Sequence, residues 1–87
     1  SLETRPRKLE RLKGRDLGDE YIFYDSSGEQ LHILNGSARE IYLMCDGERS
    51  VSGVAEAMGE RYEVDEETAR KDALETIQRL IDLELLA

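Results

Sequence analysis

With 87 residues, 39% of them hydrophobic and 37% charged, and a formal net charge of −8, the chain has the composition of one small soluble domain spanning 1–87. A domain of this size buries only about 60–65% of the surface its unfolded chain exposes, which leaves little apolar area for an enclosed substrate cavity. Its apolar runs fall far short of the ~18 residues of a membrane span, and the start "SLETRPRKLE" lacks the apolar stretch of a signal peptide, so a cytoplasmic protein without a membrane partner is expected.

Charge is unevenly distributed. Residues 1–15 carry six basic and two acidic side chains, whereas the remaining 72 carry six basic and eighteen acidic ones, a balance of −12. A nucleic-acid binder needs a basic face to displace counterions, and only this N-terminal arm could supply one. The arm reads more naturally as a solvated basic tail or an edge strand against the acidic body. Within "RKLERLKGR" a short edge strand is expected, although Leu9 and Leu12 also fit a helical turn; lysine and arginine on such a strand discourage edge-to-edge aggregation. "YIFYD" and "QLHIL" are β-branched and aromatic runs separated by "SSGE", which predicts a hairpin over 20–34 with Gly28 in its turn. Two strands alone are marginal in water, so a third is needed to give the sheet a usable apolar face.

From Leu34 onward the period changes from two to 3.6. Ser37 and Glu40 have the spacing of a capping box, with Asn35 as an alternative cap, and Ala38, Ile41, Tyr42 and Cys45 form one stripe of a helix over 37–46. Asp46 and Gly47 are structural turn residues, the glycine placed to stop the helix in a left-handed conformation. Ser50 caps a second helix over 51–62, with Val51, Val54, Ala55, Met58 and Tyr62 at helical spacing. Asp65 caps a third over 66–84, with Glu66 and Glu67 in its first turn and a stripe of Ala69, Ala73, Leu74, Ile77, Leu80 and Ile81. Strands followed by helices with short connections indicate an α+β domain, with the helices on one face of a small antiparallel sheet.

No constellation in the chain carries catalysis. His32 is the only histidine and Cys45 the only cysteine, too few for a zinc site, and the cysteine sits in an apolar stripe where a thiol behaves as a small hydrophobe. "EVDEET" lacks the ligand alternation and central glycine of a calcium loop, and no phosphate loop or nucleophile elbow is present. Neither enzymatic activity nor a cofactor is expected. Two surfaces remain. One is the third helix, whose Arg70, Lys71, Gln78 and Arg79 are interleaved with Glu66, Glu67, Asp72 and Glu75, a mixed rather than basic face. The other is the free edge of the sheet, whose amides and carbonyls an extended peptide could satisfy by adding a strand.

The run "LNGSAREIYLMCDGERSVSGVAEAM" followed by "RYEVDEETARKDALETIQRLIDLELL" resembles the PqqD family, the recognition elements of ribosomally synthesised, modified peptides. The resemblance covers about Tyr21 to Leu86 and rests on Leu34 and Asn35, Ser37 and Ala38, Ile41, the "CDG" of Cys45 to Gly47, and a closing pair Leu80 and Leu83. It implies a winged helix-turn-helix-like fold of three strands and three helices, acting as a chaperone that holds a precursor's leader peptide and presents it to a maturase, often a radical S-adenosylmethionine (SAM) enzyme. By the same resemblance the leader adds to the third strand at Gln30, Leu31, His32, Ile33 and Leu34 and packs against Ala69, Arg70, Ala73, Leu74 and Ile77, with core packing an equally good reading of Leu74 and Ile77. The acidic body disfavours nucleic acid. A small winged-helix DNA-binding regulator stands as the alternative, and a scaffold that binds a maturase without gripping a leader as a third reading. An unliganded sheet edge can also pair with a second copy, which leaves a homodimer open.

Overall fold

Period-two alternation in "EYIFY" and "LHILN" and helical periodicity from Gly36 onward give three strands followed by three helices: β1 (Lys13–Asp16), β2 (Glu20–Tyr24), β3 (Leu31–Asn35), α1 (Gly36–Met44), α2 (Val51–Tyr62) and α3 (Glu66–Asp82). The structure, a computed structural model, describes residues 1–10, 12–24 and 31–87. The expected turn at Gly28 and the candidate docking residue Gln30 lie outside them. The strands form an antiparallel sheet in the order β1-β2-β3. Tyr21 stands opposite Leu34, Phe23 opposite His32, Ile22 opposite Ile33 and Arg15 opposite Ile22. Because side chains alternate along a strand, this register sends Phe23 and Leu34 into the core and leaves Tyr24, Leu31 and Ile33 on the outer face.

The sheet meets the helices through α1. Among the described residues no Cα of any strand comes within 8 Å of a Cα of α2 or α3. The junction is aromatic. The rings of Tyr21 and Phe23 are 4.7 Å apart, Phe23 meets Tyr42 of α1 edge-on at 4.7 Å, and Tyr21 lies 5.0 Å from Tyr42. These separations are in the favourable range for aromatic pairs. Gly14 belongs to the same arrangement, since a Cβ there would collide with the Tyr21 ring. At the far end of β1, Arg39 of α1 grips both carboxylate oxygens of Asp16 at 2.8 Å, tying the outermost strand to the helical layer. Behind the junction, Ile41, Val51, Val54, Ala73, Ile77 and Leu80 form the core with Leu85 and Leu86.

Each helix start has its own solution. Ser50 Oγ accepts from the Gly53 amide at 3.1 Å, and Asp65 Oδ1 accepts from the Thr68 amide at 2.8 Å, as the cap spacing predicts. The capping box at Ser37 and Glu40 does not form. Helix α1 starts one residue earlier, after Asn35, whose side chain makes no cap bond, and Glu40 turns instead to Arg61 and the Tyr62 hydroxyl, both at 2.7 Å. With Arg61 the carboxylate makes an ion pair, and with Tyr62 a charge-assisted hydrogen bond, against the single amide bond of a capping box. The helix also ends earlier, at Met44, with Gly47 in the following turn at φ +83°.

The expected edge strand forms at the end of the basic arm, as β1, and the residues before it are docked rather than a solvated tail. Ahead of β1, residues 2–8 of the arm run as a cover across one end of the helices. The carbonyls of Thr4 and Leu2 accept from the free amides of Val51 and Ser52 at the start of α2, at 2.8 and 2.9 Å, and Pro6 is buried with its carbonyl on the Gly47 amide at 2.9 Å. Lys8 Nζ donates to the carbonyls of Leu43 and Cys45 at 3.1 and 2.9 Å, placing a cation at the negative end of α1. Arg7 and Ala87 exchange main-chain hydrogen bonds at 2.9 and 3.0 Å. The closing contact also differs from expectation: Leu83 is exposed, and Leu85 and Leu86 turn inward because Glu84, at φ +61°, reverses the chain after α3.

Two predictions concern stability. Leu80→Ala, at a fully buried position, is expected to cost about 2–5 kcal/mol. Ser50→Ala, which removes one cap, should cost about 1 kcal/mol, both read from urea unfolding midpoints. Asp16, Asp46 and Asp65 are held below the usual carboxylate range, by Arg39, by the Arg49 and Glu48 amides, and by Thr68 respectively. Their folded pKa values lie below the unfolded ones, so their contribution is complete above about pH 4 and is lost as pH falls through the lowered folded values. Urea unfolding at successively lower pH should show stability holding to about pH 4 and declining below it, with the decline shallower in Asp65→Asn.

Candidate functional site

The two edges of the sheet differ in ways that follow from their residues. β1 is only four residues long and carries Lys13 and Arg15, the length and charge of a protected edge. β3 is apolar, "LHIL", and the side facing away from β2 has no strand neighbour among the described residues. Its inner face ends at buried Leu34, with His32 half-buried before it. α3 stands back from this edge, no Cα of β3 lying within 8 Å of one on α3. Neighbouring strands in a sheet are about 4.8 Å apart, and no main chain of α3 stands that close to β3.

Where β3 runs into α1, the space opens into a cleft of about 420 Å³. Ser37 and Ile41 of α1, Met58 and Tyr62 of α2, and Ala69, Asp72 and Ala73 of α3 line it, with Val64 at its mouth. Most of the wall is apolar, and the small side chains of Ala69 and Ala73 keep α3 from filling it. Tyr62 is held there by the hydrogen bond its hydroxyl donates to Glu40, and that bond also raises the Tyr62 pKa. Asp72 is the acidic group on the wall.

The expected docking residues are distributed as follows. Leu31, His32, Ile33 and Leu34 form β3, Leu31 and Ile33 pointing to the outer face and Leu34 inward. Ala69 and Ala73 line the cleft. Arg70 does not; it pairs with Glu66 one turn back on α3. Ile77 is a core residue, 3% exposed. Leu74, about 100° further round the helix than Ala73, lines a separate shallow depression with Gln78 and Asp82. Sequence reasoning missed Ser37, Met58, Val64 and Asp72 as cleft residues and assigned Tyr62 to a buried stripe. Val64 carried a signal: it is an apolar residue between two helices, outside both stripes. Asp46 and Gly47 sit at the opposite end of the helices, where Asp46 Oδ1 accepts from the amides of Glu48 and Arg49 at 2.9 and 2.8 Å.

These features, an open apolar edge beside a cleft floored by the "LNGSA" and "ETARKDA" segments, fall within a known family. The family model described as coenzyme PQQ synthesis protein D (PqqD) matches residues 20–86. The chain belongs to the PqqD family. No curated protein gives a significant match. Among solved structures, "TbiB1 in Complex with the TbiA(beta) Leader Peptide" matches with a TM-score of 0.80 at 18% identity, covering 92% of this chain and 93% of that one. At that identity the likeness shows the fold: three antiparallel strands followed by three helices. The PqqD match begins at β2, so the arm and β1 lie outside it.

Among the described residues of this PqqD-family chain no group of three or more His, Cys, Asp or Glu side chains is placed to hold a metal, and no helix is long and apolar enough to cross a membrane. Cys45 is fully buried, its thiol donating to the Ile41 carbonyl at 3.2 Å, and burial pushes its pKa up to about 11. The thiolate is the reactive form. Native protein at pH 8 should therefore resist a disulfide reagent such as Ellman's and react at once when unfolded in guanidinium, measured by released thionitrobenzoate.

Proposed function

We propose that this PqqD-family domain is a peptide chaperone that binds the leader of a ribosomally synthesised precursor by strand addition to β3 and presents the precursor to a modifying enzyme. The observation that carries this reading is the edge of β3, without a strand neighbour among the described residues, leading at its α1 end to a mostly apolar cleft between the three helices. Strand addition draws its affinity from main-chain hydrogen bonds and its selectivity from pockets for alternate side chains. Leu31 to Leu34 supply the first, and the cleft between Ser37, Met58, Ala69 and Ala73 supplies the second. That the structurally similar TbiB1 is in complex with a leader peptide supports peptide binding by this chain. The domain itself contributes no chemistry; a radical SAM maturase is the expected recipient. The leader is disordered before it binds, so ordering it offsets part of the interaction energy, and a dissociation constant between about nanomolar and micromolar is expected.

The winged helix-like arrangement raises the alternative of a DNA-binding regulator. The docked arm weakens it: Lys8 is committed to α1 and the arm's main chain to α2 and the C-terminus. An amide chemical-shift titration separates the two. The precursor peptide encoded beside this chain's gene should shift Leu31 to Leu34 and the Ala69–Ala73 face of α3, while a duplex of about 20 base pairs shifts nothing; shifts with DNA alone would sink the peptide reading.

Two variants sharpen the site. Val64→Glu places a charge at the mouth of the cleft at a position already 41% exposed. It should weaken peptide binding about tenfold, ~1.4 kcal/mol, while changing stability by no more than about 0.5 kcal/mol. Proline at 32 or at 33 removes one β3 amide each, and alternate amides point to opposite sides of a strand. One variant should lose peptide binding with its thermal unfolding unchanged and the other should lose the hairpin; equal peptide affinity in both folded variants would exclude strand addition here.

A further inference from the structure

The outer face of the sheet, on the side opposite the helices, is unpartnered and has a definite chemistry. The register places its side chains in rows: Lys13, Tyr24 and Leu31 in one, Arg15, Ile22 and Ile33 in the next. Tyr24 is 59% exposed, Leu31 57% and Ile33 51%, with Ile22 half-buried between them. The result is an apolar surface over β2 and β3 bounded along β1 by two cations. Neither Lys13 nor Arg15 pairs with a carboxylate among the described residues. In a chain whose residues 16–87 carry a balance of −12, two cations without a carboxylate partner among the described residues, beside an apolar patch, stand out. Apolar surface grouped in this way and rimmed by charge marks an interaction site.

Charge decides what can cover it. A second copy fits badly. Stacking two such faces about a two-fold axis across the strands sets Lys13 and Arg15 against their own copies, and an axis along the strands lays them over Leu31 and Ile33 with no counter-charge. An anionic bilayer could meet the cations, but the three strands span only about 10 Å, so a planar membrane at this face would also confront the acidic body. A protein surface has neither difficulty when it presents an apolar centre with carboxylates on one side.

We propose that the outer sheet face is a docking surface for the modifying enzyme, received through an apolar patch flanked by Asp or Glu side chains that pair with Lys13 and Arg15. This rests on the peptide-chaperone reading and extends it. A leader strand added to β3 would direct every second side chain to this outer face, continuing the rows beyond Leu31 and Ile33. The docked enzyme would then touch domain and leader together, and the leader-loaded domain would bind it more tightly than the empty one.

The test uses variants away from the β3 edge: Lys13→Glu with Arg15→Glu, and separately Tyr24→Asp, each checked for unchanged thermal unfolding. Binding is measured by calorimetry to the precursor peptide and, without peptide, to the purified modifying enzyme encoded beside this chain's gene. Expected is peptide affinity within about twofold of the parent chain and enzyme affinity reduced about tenfold or more, with the charge-reversed variant also losing the salt dependence of enzyme binding. Enzyme affinity unchanged in both variants overturns the proposal. So does co-sedimentation of the parent chain with phosphatidylserine-containing vesicles that the charge reversal abolishes, or a dimer in sedimentation equilibrium that Tyr24→Asp dissociates. Failure of the parent chain to bind the peptide would strike the chaperone reading alone, because the docking measurement omits the peptide.

Discussion

Three aromatic rings hold the sheet to the helices, and the geometry of the candidate site depends on them. Tyr21 and Phe23 project from β2 onto Tyr42 of α1, with ring separations of 4.7 to 5.0 Å. Since among the described residues no strand Cα lies within 8 Å of one on α2 or α3, this junction, the Arg39–Asp16 pair and the direct run of β3 into α1 place the sheet against the helical layer. The burial of Tyr42, which lifts its pKa to about 12, and the absence of a Cβ at Gly14 are parts of the same joint. A sheet attached through one helix leaves the outward edge of β3 without a strand neighbour among the described residues. The open groove thus results from where the domain spends its few large side chains, rather than from a cavity carved within them.

A small domain with one core has three kinds of surface to offer, and here each has a separate chemistry. The β1 edge is short and charged, which protects it from pairing. The β3 edge is apolar and open, which invites pairing. The outer face is apolar with cations along one side, which suits a protein of opposite sign. Edge and face share β3, whose alternating side chains serve the core and the outer surface while its main chain faces the gap. Its five residues therefore present three chemically distinct surfaces, to the core, to the outer face and along the edge.

Much of this was legible in the sequence where one local interaction determines the outcome. Ser50 and Asp65 cap helices because a side-chain oxygen three residues before an amide is enough. The strand pair and the buried stripe of α3 followed from periodicity alone. The readings that failed involve competition between partners distant in the chain. Glu40 had the spacing for a capping box, but Arg61 and Tyr62, brought beside it by packing, bind it instead. The arm's charge was visible, but the use of Thr4 and Leu2 carbonyls to finish α2 leaves no mark in composition. The cleft is hidden for the same reason: Ser37, Met58, Val64 and Asp72 come from three helices and a turn, and no spacing links them. Gly14 is of this kind too, its role appearing only once Tyr21 is seen beside it.

The pairing of Arg7 with Ala87 has an architectural consequence. The arm closes over the end of the helical layer where α1 stops, α2 starts and α3 finishes, whereas the cleft lies where α1 starts, α2 stops and α3 begins. Both termini are thus gathered at the pole remote from the groove. The two ends of the described chain brace each other there, so holding the arm in place costs the β3 edge and the cleft none of their exposed surface.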